Sequence, residues 1–523
     1  MKLKEKTRVS GYKKLFFTYY SLSCEMRTFG PRNSFTAKPM NEQPSAGIKL
    51  PSPLVSLVPI AVLVTMLFFV IRIFGAGALD GGSQVSLITA TAICILITRW
   101  KYRTKWEVLE EAMAVNIKSV TSALIILLLI GAVSGSWMIG GVVPTLIYYG
   151  LDIIHPSVFL ASTCLICAAV SVMTGSSWAT IATIGVALLG IGKAEGFSEG
   201  WIAGAIISGA YFGDKISPLS DTTVLAASAT GTPLFTHIRY MMITTVPSML
   251  ITLVIFAVAG FSHSGGHAAQ IDAFKDSLAN TFTISPWLLA VPVITGLMIA
   301  RRMPSAITLF VSSVLAGVCM VAFQPHVVAE IAGAASLDFH SGFQGVLMTY
   351  YGPTALQTAN PEITDLVATN GMAGMLNTIW LIICAMCFGG VMAGSGMLHS
   401  LTMFFVHLVK RTFSIVSSSV ASGIFFNICT ADQYLSIIIM GHLFKDFYKQ
   451  RGLESRLLSR TTEDSVTVTS VLIPWNSCGM TQATVLGVAT LTYLPYCFFN
   501  LISPLMSMLV AATGYKIFRR AEK

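Results

Sequence analysis

Charge is what this sequence has least of. Acidic and basic residues make up 11% of the 523 residues, where a soluble globular domain carries roughly 25%. That shortage excludes an ordinary water-facing surface. Apolar residues reach 54%, and several apolar runs attain the roughly 20 residues a helix needs to cross a bilayer. Metal-ligand patterns are also lacking. Cys164/Cys167 and Cys384/Cys387 form CxxC pairs inside apolar runs, but no further Cys or His stands at zinc spacing, so the pairs read as packing residues. Nothing in the ten cysteines points to an oxidising compartment. Facing histidine pairs that would hold haem are not evident within the spans. Residues 1–39 are basic and aromatic with no long apolar stretch that would make a signal peptide; they are either a cytoplasmic tail or precede the true start at Met40, and the second is the expectation. The net charge of +9 sits in short loops, where it reports membrane orientation and not nucleic-acid binding.

What is present is an all-α polytopic pattern. Ten spans are expected, near 55–74, 83–98, 118–139, 200–230, 238–262, 286–300, 304–324, 376–396, 462–486 and 490–513. Those at 200–230 and 462–486 are broken by Pro218 and Pro474. Two further regions, 156–192 and 412–445, are interrupted at Thr174-Gly-Ser-Ser177 and at Asn427-Ile-Cys-Thr-Ala-Asp-Gln433. The halves of the first are about 15 residues each, short for a crossing, which predicts a re-entrant hairpin.

The basic loops test this pattern. Arg99 to Lys105, Arg239, Arg301/Arg302, Lys410/Arg411, Lys445 to Arg460 and the tail with Lys516, Arg519 and Arg520 all fall inside, while the loops near 263–284 and 325–370 fall outside. The first hairpin then enters from outside and the second from inside, and the two broken spans run in opposite senses. The expected organisation is a cytoplasmic extension over residues 1–50, a first inverted repeat over 51–262 and a second over 263–523. A weak internal repeat at an offset of 256 residues agrees: Thr174 matches Thr430, Ile181 matches Ile437, Gly185 matches Gly441 and Pro218 matches Pro474. Inverted repeats with helices broken at mid-membrane mark secondary transporters.

The densest polar run at membrane depth is Gly209-Ala-Tyr-Phe-Gly-Asp-Lys-Ile-Ser-Pro-Leu-Ser-Asp-Thr-Thr223. A charge inside the bilayer costs at least a few kcal/mol and is functional by default. Asp214 and Asp221, the hydroxyls of Ser217, Ser220, Thr222 and Thr223, and carbonyls freed at the break make a hard-oxygen environment suited to a small cation. The segment Gly213-Asp-Lys-Ile-Ser-Pro-Leu-Ser-Asp-Thr-Thr223 resembles the signature of the NhaC family of sodium/proton antiporters, within the ion-transporter superfamily; the likeness in hydropathy spans about residues 50–515 and leaves out 1–39. The resemblance implies an elevator-type fold with two hairpins and two unwound helices around one site, and it points to Asp214, Ser217, Pro218, Ser220, Asp221, Thr222 and Thr223. The same family includes exchangers of small carboxylates, so the motif leaves the substrate open.

The hairpin tips form the second element. Thr174, Ser176 and Ser177 offer hydroxyls, and Asn427, Thr430 and Asp432 sit at the equivalent place. At the second break, Asn476 and Ser477 replace Ser220 and Asp221, so the halves are chemically unequal. Asp214 and Asp221 are the expected principal site shared by sodium and protons, with Asp432 supporting it as a third sodium ligand. Two carboxylates close together away from water repel, so proton and sodium compete for them. Glu463 and Asp464 begin the second broken span, and His237 and His442 lie near cytoplasmic ends. The expected function is sodium/proton exchange across the inner membrane, without enzymatic activity or cofactor. Its partners are sodium ions, protons and membrane lipid, with room for a homodimer. The alternative is a sodium- or proton-coupled exchanger of small carboxylates or amino acids, such as malate and lactate. Its anion would need Lys215, which could equally be the salt-bridge partner of Asp214.

Overall fold

The computed structural model describes residues 51–74, 80–153, 155–262, 268–301, 303–354, 356, 364, 367–401 and 412–518. The expected extension over residues 1–50, with Met40, and the basic positions Arg302, Lys410, Arg411, Arg519 and Arg520 lie outside the described residues.

The described chain is helical, with one isolated bridge between Thr354 and Thr369. It opens with α1 (Pro53–Phe74), α2 (Gly82–Tyr102), the amphipathic α3 (Trp106–Ser119) and α4 (Thr121–Ile139). A short helix, α5 (Val142–Ile153), leads to α6 (Phe159–Thr174) and α7 (Ser177–Ala194), which make the first interrupted pair. The first broken segment is α8 (Glu199–Ile216) followed by α9 (Asp221–Thr230). Then come α10 (Leu234–Phe261), α11 (Ala268–Thr281), α12 (Ala290–Ala300), α13 (Ser305–Phe323), α14 (Pro325–Ile331), α15 (Phe339–Tyr351) and α16 (Leu376–Gly394). The second interrupted pair is α17 (Thr412–Thr430) with α18 (Gln433–Gln450). The second broken segment is α19 (Ser455–Thr462), which runs on through a wide π turn at Glu463–Thr467, and then α20 (Ser477–Leu486); α21 (Phe498–Thr513) closes the chain.

Among the described residues nine helices are long and apolar enough to cross a membrane, and two bent pairs raise the number to eleven if each is one span. The protein is a multi-pass membrane protein. Its large apolar side chains are exposed in rows, as on α10, where Leu250, Val254, Val258 and Phe261 face outward. Lipid solvates such faces as readily as a core would.

Three expectations need correction. Pro156–Thr174 and Ser177–Ala194 have 19 and 18 residues, so each half of the first interrupted pair is long enough to cross and shortness is no reason to call it a hairpin. The regions expected as outer loops, 263–284 and 325–370, contain the helices α11, α14 and α15. The helix α5 stands where the sequence predicts no span. All four helices are short, 7 to 14 residues, and a helix without the length of a span leaves little mark on the hydropathy.

Both broken segments lie at the centre of the fold. In α8 nearly every residue from Ile202 to Lys215 is buried. It lies directly on α6: a Cβ at Gly209 would stand 2.1 Å from the Cys164 carbonyl oxygen, so a side chain there would force the helices apart.

Candidate functional site

The first half-site is built where α6 and α7 meet the break between α8 and α9. Helix α6 ends at Thr174, and Gly175 takes a left-handed φ of 66°. A Cβ at Gly175 would lie 2.7 Å from the Leu219 carbonyl carbon, so space and backbone both require glycine. Ser176 caps α7 by accepting the Ala179 N–H at 3.2 Å. The Thr174 hydroxyl closes the tip, 3.1 Å from the Ser176 carbonyl and 3.2 Å from the Thr180 hydroxyl. Ser177 then donates to Asp214 Oδ2 at 2.7 Å, while Ser220 donates to Asp214 Oδ1 at 2.6 Å. The carboxylate is thus held between the tip of the first interrupted pair and the far side of the break.

Pro218 sits in that break, and the carbonyls left over are taken by a side chain: the Thr223 hydroxyl donates to the carbonyls of Asp214 at 3.2 Å and Lys215 at 3.0 Å. Ser217 donates to the Val172 carbonyl at 2.8 Å, and Thr222 lies 3.0 Å from Ser220. Asp221 starts α9 and is exposed, unlike Asp214.

The second half-site repeats this construction at the 256-residue offset. Thr430 donates to the Asp432 carbonyl at 2.9 Å and meets Ser436 at 2.7 Å, as Thr174 meets Ser176 and Thr180. Ala431 is left-handed with φ 55°, in the place of Gly175. Asn427 donates to the Val466 carbonyl at 2.7 Å, as Ser171 donates to the Ala210 carbonyl at 2.6 Å. Trp475 Nε1 donates to the Ile428 carbonyl at 3.0 Å, in the place of the Ser217 bond to Val172. Helix α20 matches α9 at both ends, and Gly487 and Gly231 both terminate them in the left-handed region. Asn476 caps α20 through the Cys478 N–H at 3.1 Å, as Ser220 caps α9.

The halves differ in where the carboxylate stands. The position equivalent to Asp214 is Ser470, which donates to Gln433 at 3.2 Å. The second half carries its carboxylate at the tip instead. Asp432 is buried, accepts the Leu435 N–H at 2.9 Å and accepts from Ser477 at 3.0 Å. Helices α9 and α18, one from each half, pack directly on each other, with Gly441 against Ala229, so the two half-sites adjoin. Among the described residues no three acidic, histidine or cysteine side chains converge closely enough to hold a metal ion. The three aspartates expected as sodium ligands therefore do not meet as one cluster in this conformation.

Lys215 does not pair with Asp214. Its ammonium is hydrogen-bonded to Asp464 on the π turn of the other half, and both side chains are wholly buried. Thr244 of α10 donates to both Asp464 oxygens, at 3.1 and 2.9 Å, and Arg460 Nε stands 3.9 Å away. Glu463 and Arg460 are also wholly buried. His237 Nδ1 lies 2.8 Å from the Ser459 hydroxyl, whereas His442 is exposed. Asp464 is the site residue that sequence reasoning underrated. The available signal was the spacing Arg460, Glu463, Asp464 on one helical face, three charges at depth that need a countercharge elsewhere.

Comparison with known proteins agrees with this chemistry. A family model described as the Na+/H+ antiporter family matches residues 209–515. A Na+/H+ antiporter NhaC of Alkalihalophilus pseudofirmus is 37% identical over 82% of this chain and 90% of its own length. A malate-2H+/Na+-lactate antiporter of Bacillus subtilis is 34% identical over 83% of this chain and 90% of its own. An arginine/ornithine antiporter ArcD of Halobacterium salinarum is 32% identical over 90% of this chain and 94% of its own.

Proposed function

The chain belongs to the NhaC branch of the Na+/H+ antiporter family, and from that premise we propose that it exchanges sodium ions for protons across the cytoplasmic membrane through one site shared by its two halves. Asp214 is the principal sodium ligand. The observation that carries this is its carboxylate, buried between the Ser177 and Ser220 hydroxyls at 2.7 and 2.6 Å, where a hairpin tip meets a helix break. A carboxylate, hydroxyls and nearby carbonyls offer the hard oxygens that sodium prefers. Asp432 serves the second half-site. Asp221, exposed at the start of α9, stands at the mouth of the site. The two interrupted pairs act as re-entrant hairpins from opposite faces, and the hairpins and broken helices move together as the carrier of an elevator.

Purified protein in proteoliposomes should move protons against an imposed sodium gradient. An absence of sodium-driven proton flux, with the protein correctly inserted, defeats the reading. Adding malate, lactate, arginine or ornithine to the same vesicles tests exchange of organic ions, which the names of two relatives and the buried guanidinium of Arg460 favour. For the hairpins, a single cysteine at position 193 should label from outside; labelling from the cytoplasm alone defeats the opposed arrangement.

A further inference from the structure

Four charged side chains are wholly buried around the π turn of the second half: Lys215, Arg460, Glu463 and Asp464. Asp214, beside Lys215 in α8, is also buried. The five make two cations and three carboxylates. Lys215 and Asp464 bond directly, and Arg460 lies against Asp464 and over the Tyr240 ring at 4.6 Å. Asp214 is held by two hydroxyls. Glu463 differs from the other two carboxylates, because neither of its oxygens has a partner in hydrogen-bonding geometry; the Arg460 guanidinium nitrogens, one turn before it, likewise have none. An unpaired carboxylate kept from water is strongly disfavoured as an ion.

Within the helices packed against the π turn no further charged side chain is buried; the buried Asp432 stands at the cap of α18, bonded to Ser477. Helices α17 and α21, which pack against the π turn, contain no Asp, Glu, Lys, Arg or His. Helix α18 brings the buried Tyr448, while its His442, Lys445, Asp446 and Lys449 are exposed. Helix α10 brings Tyr240 and His237, the latter held by Ser459, and α9 brings Asp221 at its exposed end. Neutrality of the five-group cluster then requires one further monovalent cation.

We propose that Glu463 holds the exchanged proton, and that sodium on Asp214 releases it through charge balance and not by competing for the same oxygens. This rests on the reading of Asp214 as the sodium ligand. With sodium absent, Asp214 is ionised and Glu463 is protonated. When sodium neutralises Asp214, Glu463 ionises and the count of charges is unchanged. Mutual exclusion of the two ions follows without a shared ligand set, which suits a site whose three aspartates do not cluster.

The test uses the full chain, purified in detergent and weakly buffered, with a pH dye to follow protons on addition of sodium chloride or choline chloride. Wild type should release one proton for each sodium bound, and its sodium affinity should weaken as pH falls. Glu463→Gln should release none, and its sodium affinity should lose its dependence on pH and fall on the order of tenfold to a hundredfold, the size of a screened interaction between two charges several ångström apart. Wild-type proton release from Glu463→Gln, with the same pH profile, overturns the proposal. Should that variant fold poorly, infrared difference spectra of wild type decide: sodium must remove a protonated-carboxyl band, and no such loss overturns the idea. Because these readings need no membrane, a protein that passes them but moves no protons in vesicles defeats the proposed transport function and leaves the Glu463 assignment standing.

Discussion

The two half-sites share a backbone and differ in where they place charge. In the first, the carboxylate stands on the broken helix at Asp214, and the tip contributes only hydroxyls. In the second, the equivalent of Asp214 is Ser470, and the carboxylate has moved to the tip at Asp432. Asp432 is occupied with a structural task, because it caps α18 and accepts from Ser477. Asp214 caps nothing, and two hydroxyl groups, which a cation can turn outward, hold its carboxylate. A repeated scaffold can thus separate a binding role from a supporting one by moving one acidic residue between equivalent places.

The strongest way to break the comparison is to cut what ties the halves together. Lys215 belongs to the first broken helix and Asp464 to the second, and their pair is fully buried. Removing one partner of a buried pair costs about 3–5 kcal/mol. Lys215→Met should therefore lower the thermal stability of purified protein sharply, and Asp464→Leu on top of it should restore much of the loss. If Lys215→Met melts like wild type, the pair is no bond between the halves.

The next comparison sets the two carboxylates against each other. Asp214→Asn should abolish sodium-driven proton flux at normal expression. Asp432→Asn should keep flux while weakening apparent sodium affinity about tenfold, the size of one charge-assisted hydrogen bond of about 1.5 kcal/mol. Asp221→Asn should change affinity least, since the side chain is exposed and chiefly adds charge at a helix start, worth about 0.3–1 kcal/mol. Flux assays over a sodium series give the ranking. Equal losses for Asp214→Asn and Asp432→Asn would erase the division of roles.

Much of this arrangement was legible in the sequence because polar runs and prolines stand out against apolar helix. Pro218, Pro474 and the tips at Thr174 and Thr430 all interrupt helices where expected. The 256-residue offset, weak in residue identity, recurs in the hydrogen bonds of Thr430, Asn427 and Asn476. Side-chain pairing was not legible. Lys215 and Asp464 are 249 residues apart, and no local pattern says which buried cation meets which buried anion. The exposure of Asp221 was hidden for a related reason: Ser220 and Thr223 on either side of it bond to Asp214, and spacing along the chain does not report which side chains of that stretch face inward.

The smallest test concerns the backbone of the two tips. Gly175 and Ala431 occupy the same left-handed turn, with φ 66° and 55°. For a residue with a Cβ that conformation costs roughly 1–2 kcal/mol. In the first half glycine is obligatory, because Leu219 of the break lies against it. In the second half the turn tolerates alanine because it is tied from several sides: the Ala431 carbonyl accepts the Ser477 N–H at 2.8 Å, and Thr430 bonds Asp432 and Ser436. Ala431→Gly removes the Cβ cost, while the unfolded chain gains freedom that offsets part of it. The expected outcome is a small gain in stability, about 0.5–1 kcal/mol, read as a slightly higher melting temperature with unchanged sodium affinity. Gly175→Ala should act in the opposite direction and also weaken sodium binding, because pushing Leu219 away shifts Ser220 off Asp214. If Ala431→Gly lowers the melting temperature, the second tip is held by packing of the alanine methyl and not by its hydrogen bonds, and the two tips are less alike than their backbones.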